Sequence, residues 1–177
     1  MEKIIVLLRG INVGGHRKVP MAELRAAAQA AGITDFTTYI QSGNLIFTAK
    51  DTAAAEDIVE TIVEERFGFK VEAIARTAKQ WAVYAKGTPF ADADERGNLV
   101  HLGLSKKAPA AGTAGRLAER AVHSERIVVN GDAIWIDFKD GVADTKLTPA
   151  FIDRVVGSTV TMRNWRTVVK VAELSAG

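Results

Sequence analysis

Residues 4–8, Ile-Ile-Val-Leu-Leu, form an apolar run without alternation. A strand covered on both faces has that pattern. Beyond a polar stretch, Pro20 suits the first turn of a helix, and Leu24, Ala27, Ala28 and Ala31 recur at helical spacing as far as Gly32. Residues 36–40 and 45–48 predict two strands joined by the turn Gln41-Ser42-Gly43-Asn44. Asp51 or Thr52 can then cap a helix whose apolar face is Ala55, Ile58, Val59, Ile62 and Val63, ending near Gly68. Residues 71–76 predict a fourth strand. The order βαββαβ is the split-βαβ, or ferredoxin-like, arrangement.

The pattern then starts again. Thr77-Ala78-Lys79-Gln80 has the form of a capping box opening a helix that carries Trp81 and Tyr84. Residues 86–97, with Gly87, Pro89, Asp92, Asp94 and Glu95, read as the joint between halves. A strand at 99–104, a helix at 115–123 and a hairpin at 127–138 follow, with Asn130-Gly131 signalling a type I′ turn. Thr148-Pro149 opens a helix that stops at Gly157, and Thr161 is expected to cap a last helix over 162–174. The second half thus reads βαββα plus a terminal helix. The expected class is α+β, two ferredoxin-like halves of βαββαβ type packed together, divided as 1–77 and 78–177.

Composition narrows the function classes. A chain of 177 residues, 47% hydrophobic and 25% charged, is an ordinary globular protein, neither disordered nor fibrous. Without cysteine it has no disulfide framework, thiolate metal site or cysteine nucleophile. Its start lacks the basic, long-apolar pattern of a signal peptide, and no stretch nears the ~20 apolar residues of a membrane span, so a cytoplasmic setting without a membrane partner is expected. Lys and Arg total 23 against 21 acids, a net charge of +2, whereas dedicated nucleic-acid domains usually carry a clear basic excess, so such a partner is less expected. His16, His101 and His123 are scattered away from any metal-ligand spacing, so neither a metal nor a cofactor is expected. Asp92-Ala93-Asp94-Glu95 lacks the calcium-loop pattern, and an RNA-recognition motif needs aromatics on the central strands, of which the first has none and the third only Phe47.

Candidate chemistry concentrates in loops. Arg9-Gly10-Ile11-Asn12-Val13-Gly14-Gly15-His16-Arg17-Lys18 joins a buried strand to a helix start, where backbone donors and basic side chains can cradle an anion. It matches neither GxxxxGK[ST] nor GxGxxG, and turn geometry alone is an equal explanation of its glycines. Gln41, Ser42 and Asn44 can orient a ligand or simply build a turn. Ser42 has no adjacent base and no G-x-S-x-G context, which argues against a nucleophile. Lys146 precedes the Thr148 cap, and Arg163, Asn164 and Arg166 fall in the expected first turn behind Thr161. Two arginines there would oppose the helix dipole, a broken rule that an anion would repair.

Four stretches together resemble the domain-of-unknown-function 1697 family: LLRGINVGGHRKVPMAEL (7–24), TYIQSGNLIF (38–47), TKLT (145–148) and TMRNWRTVVKVAEL (161–174). Thr145 stands where Ser is the more usual residue. The resemblance implies a bacterial protein of two ferredoxin-like halves and no established activity. It places a polar signature on Arg9, Asn12, Gly14, Gly15, Gln41, Ser42, Asn44, Lys146, Thr148, Arg163, Asn164 and Thr167. The leading expectation is one pocket, built from residues 9–18, 41–44, 146–148 and 163–167, for a small anionic or phosphate-bearing ligand. Catalysis there is open, with His16 the only nearby side chain that titrates near neutrality. A nucleic-acid binder with a basic groove and a non-catalytic interaction module are the alternatives; no oligomeric state is assigned.

Overall fold

In the computed structural model, which describes residues 1–177, the opening apolar run becomes β1 (Glu2–Leu8), buried from residue 4 onward. The expectation of a strand covered on both faces holds: Ile4, Val6 and Leu8 face one side, Ile5 and Leu7 the other, and all are at most 1% exposed. The chain divides into two compact units, Met1–Val83 with Val171–Gly177, and Tyr84–Lys170.

In the first unit β1 is followed by α1 (Met21–Ala30), β2 (Thr37–Tyr39), β3 (Asn44–Ala49), α2 (Thr52–Phe67) and β4 (Ala73–Thr77). The sheet order is β2-β3-β1-β4, antiparallel throughout. Ile4, Val6 and Leu8 pack in one cluster with Leu24 and Ala28 of α1 and with Val59 and Val63 of α2. Asp51 caps α2 by accepting from the Ala54 amide at 2.8 Å, and Gly68 ends it at φ 78°. At the β4 edge, Glu60 and Glu56 of α2 accept from the amides of Ala73 and Ala75 at 2.9 and 2.8 Å. These carboxylates occupy donors that an added strand would need. The capping box forms as expected, with Gln80 N donating to Thr77 Oγ1 at 3.2 Å and Thr77 N to Gln80 Oε1 at 2.9 Å. It opens α3 (Ala78–Lys86).

The second unit repeats the order with β5 (Val100–Ser105), α4 (Thr113–Ala118), β6 (Arg126–Asn130), β7 (Ala133–Asp137), α5 (Pro149–Val156) and β8 (Val160–Asn164), in a sheet ordered β6-β7-β5-β8. The last helix is α6 (Trp165–Ser175). Its core joins Ile134, Ile136, Phe138 and Val160 to Leu117 of α4 and Ile152 and Val156 of α5. Only Gly131 of the β6–β7 turn has positive φ, so the turn is not the type I′ form expected from Asn130-Gly131.

A second expectation is overturned. Residues 160–164 are a strand, not the start of a helix capped by Thr161. Val160 and Thr161 are β-branched and follow a helix that Gly157 has already ended at φ 76°. β8 pairs with β5, placing Arg163 opposite Leu102. Asp153 of α5 accepts from Val160 N at 2.8 Å, as Glu60 does for Ala73 in the first unit. The cap of α6 falls to Asn164, whose Oδ1 accepts from Thr167 N at 2.9 Å. Both units are therefore βαββαβ, each followed by a helix.

Candidate functional site

The glycine loop is a miniature hairpin. Asn12 N donates to Arg17 O at 3.1 Å and His16 N to Val13 O at 3.0 Å, leaving Gly14 and Gly15 at the tip with φ of 58° and 76°. Two successive residues at positive φ are what a type I′ turn needs, so turn geometry accounts for both glycines. His16 is exposed at this tip. Arg17 turns away from the helix start: its Nη2 donates to Lys70 O at 2.8 Å and its guanidinium lies 4.9 Å from the centre of the Phe69 ring.

Asn12 ties this hairpin to its neighbours. Its Nδ2 donates to Val19 O at 3.0 Å and to Gln41 O at 2.7 Å, and its Oδ1 accepts from Val19 N at 2.8 Å. Asn12 itself sits at φ 54°, which asparagine tolerates better than most residues. The 41–44 turn is clamped from its other side, with Leu8 N donating to Gly43 O at 2.9 Å. A Cβ on Gly43 would lie 2.8 Å from Leu8 Cβ, and its φ is 80°. Asn44, fully buried, donates to Tyr39 O at 2.9 Å and Ser42 Oγ at 3.1 Å. Ile40 takes φ 50° and stays 48% exposed, a costly conformation for a β-branched side chain.

Between these two tied segments and the start of α1 lies an open hollow of about 480 Å³, lined by Asn12, Gly15, Lys18, Pro20, Met21, Ala22 and Gln41. Pro20 stands at the N-cap of α1, and no side chain caps the helix. Lys18 and the first residues of α1, Met21 and Ala22, thus line the same hollow. The structure so brings Asn12, Gly15 and Gln41 of the expected site together. Arg9 is half-buried, its amide donating to Glu72 O at 3.0 Å. Lys18 was legible only as one more basic residue in the loop.

The other expected residues belong to the second unit. Arg163 is buried inside β8, donating from Nη1 to Thr161 Oγ1 at 2.9 Å and to Met162 O at 2.8 Å. Burial lowers its pKa from the ordinary arginine value to about 10. It therefore does not share a helix N-terminus with Arg166, which alone occupies the first turn of α6. There the Arg166 stem covers Gly97: a Cβ on that glycine would lie 2.7 Å from Arg166 Cγ. Thr145 Oγ1 donates to Glu125 Oε1 at 2.9 Å and accepts from Leu147 N at 3.1 Å, while Thr148 caps α5 and Lys146 is exposed.

Sequence reasoning missed a charge cluster in this unit. Asp137, with no exposed surface, accepts from Arg96 Nη2 at 2.9 Å and from Arg126 Nε and Nη2 at 2.8 and 2.6 Å. Arg126 also donates to Asp92 at 2.7 Å and lies 4.5 Å over the Phe90 ring. The hydrogen bond from Arg126 is the main influence holding the Asp92 carboxyl below its ordinary range. An acid ending the apolar run Ala133-Ile134-Trp135-Ile136 was the available signal. His101 of β5 packs edge-on to Phe138 at 5.1 Å, with Nδ1 3.0 Å from Leu99 O. Burial lowers its pKa.

No group of His, Cys, Asp or Glu is placed to hold a metal ion, and no helix is long and apolar enough to cross a membrane. No curated protein matches the sequence. A solved structure, that of the conserved bacterial protein SP0830 from Streptococcus pneumoniae, is similar with a TM-score of 0.72 at 22% identity, covering 98% of each chain. That likeness shows a shared fold. The model of a family described as "Protein of unknown function (DUF1697)" matches residues 1–135, which include the glycine loop, the 41–44 turn and the whole first unit up to α3. The chain belongs to the DUF1697 family.

Proposed function

We propose that the hollow at the start of α1 binds the anionic group, carboxylate or phosphate, of a small ligand. The observation that supports this reading is the hollow itself: about 480 Å³, within the range of small-molecule sites, with Lys18 and Gln41 on its wall. The ammonium of Lys18 and the uncapped end of α1 both favour negative charge at the same place. Pro20, Met21 and Ala22 offer an apolar surface to the rest of the ligand. Asn12 holds the two walls in register through its three hydrogen bonds.

Titrating inorganic phosphate and acetate into the ¹⁵N-labelled full chain tests the reading. Amide shifts are expected to concentrate at Met21, Ala22 and Glu23, and Lys18→Ala weakens them. Shifts confined to other parts of the chain, or a Lys18→Ala protein that binds as well as the parent, would overturn it.

A further inference from the structure

Resting on that anion-binding reading, we propose that the ligand extends along α1 and is an acidic peptide segment in extended conformation. A second hollow of about 350 Å³ adjoins the first. Ala22 lines both, and Arg25, Ala26, Gln29, Ile33, Thr34 and Phe36 continue the wall. Ala22, Arg25, Ala26 and Gln29 are related as i, i+3, i+4 and i+7, so one face of α1 forms the length of this trough. The ten residues of α1 span about 15 Å at 1.5 Å per residue, a length that about five residues of extended chain would cover.

Charge selects the occupant. The lining of the two hollows includes Lys18 and Arg25 and no acid. The acid on α1, Glu23, is turned to Arg66 at 2.8 Å, and Asp35 beside the trough accepts from Thr48 N at 2.9 Å. Arg25 is held by Nη1 donating to Thr38 Oγ1 at 2.6 Å, which leaves its remaining donors for a partner. Ala22 and Ala26 present no bulk and let a main chain come close. β2, which carries Thr38, pairs with β3 on one side and is an edge strand of its sheet. A single-stranded nucleic acid fits less well, because the one aromatic in the lining, Phe36, is buried and presents no ring for base stacking.

Fluorescence anisotropy with the full chain tests this. The probes are a fluorescein-labelled octapeptide of alternating Glu and Val with a free C-terminus, its Lys–Val counterpart and a labelled uridine octamer. Phosphate binding is followed in parallel by amide shifts. The Glu–Val peptide is expected to bind, and Lys18→Ala and Arg25→Ala each to weaken it by about threefold to tenfold. Ala26→Glu, at an exposed helical position, weakens the peptide but leaves phosphate binding in place. Equal binding of the Lys–Val peptide, tighter binding of the uridine octamer, or indifference to both Arg25→Ala and Ala26→Glu would overturn the proposal. Phosphate shifts at Met21 and Ala22 without peptide binding sink the peptide and leave the anion site standing. Loss of both responses ends both readings.

Discussion

Asn12 is the residue on which the geometry of the hollow depends, and its removal has a calculable effect. Substitution by glycine keeps the backbone at φ 54° free of strain and deletes three hydrogen bonds, two to Val19 and one to Gln41. At about 1 kcal/mol net per bond, reduced because the side chain is only half-buried, the loss is about 2 kcal/mol. Asn12→Ala adds about 1 kcal/mol, because a side chain without a local hydrogen bond is disfavoured in the left-handed region. For a chain of this size, 2 kcal/mol corresponds to a fall of about 4–8 °C in Tm, with alanine lower again. Thermal melts of the two variants measure the order, and hydrogen exchange at the Val19 amide measures the local effect. Val19 N loses its acceptor in both variants, so its protection should drop well before that of the β1 amides. Equal melting temperatures for glycine and alanine, or an unchanged Val19 exchange rate, would refute this account of the loop.

Other outcomes follow from single contacts. Gly43→Ala combines a left-handed φ with a 2.8 Å approach to Leu8 Cβ, and is expected to cost about 2–4 kcal/mol in a urea titration. A loss below 1 kcal/mol would mean the turn can shift away from β1. Asp137→Ala strands two arginines around a buried position and is expected to cost about 3 kcal/mol or more, whereas the Asp137→Ala/Arg126→Ala double variant costs less than the sum of the singles. Additive losses would show that the cluster is not coupled. His101 has a folded pKa below its unfolded value, so the stability it supports is present above pH 6.5 and is lost as the pH falls toward and through the folded value. Stability measured between pH 7 and pH 5 should therefore decline more steeply in the parent than in His101→Gln; parallel curves would remove His101 from the explanation.

The repeated topology gives the second unit's residues a context that their local sequence lacks. Arg76 and Arg163 each occupy the next-to-last position of the fourth strand of a βαββαβ unit, and both are buried. Each is followed by a capping residue, Thr77 or Asn164, that accepts from the amide three positions later. No such correspondence is visible by aligning the halves directly, because the connecting loops differ in length and composition. The shared strand position, with an arginine in each, relates the two strands once the topology aligns them.

Local rules were enough wherever one segment carried its own signal. The unbroken run at residues 4–8 pointed to a strand buried on both faces, Asp51 and Gly68 bounded α2, and Thr77 with Gln80 formed the capping box. From these the α+β class and the βαββαβ order of the first unit were legible. Residues 160–164 were not, since Thr161 satisfies the pattern of a helix cap and only pairing with β5 makes it a strand residue. The same holds for the candidate site. The glycine loop was visible as a polar turn, but its glycines answer to hairpin geometry, Arg17 leaves for Phe69, and Lys18 remains beside α1. Hydrogen bonds between Asn12 and Gln41, 29 residues apart, bring the walls of the hollow together. Amino-acid spacing sets which segments can be helix or strand, because that depends on neighbours along the chain; which side chains share a surface depends on partners distant in sequence, and only the folded chain decides it.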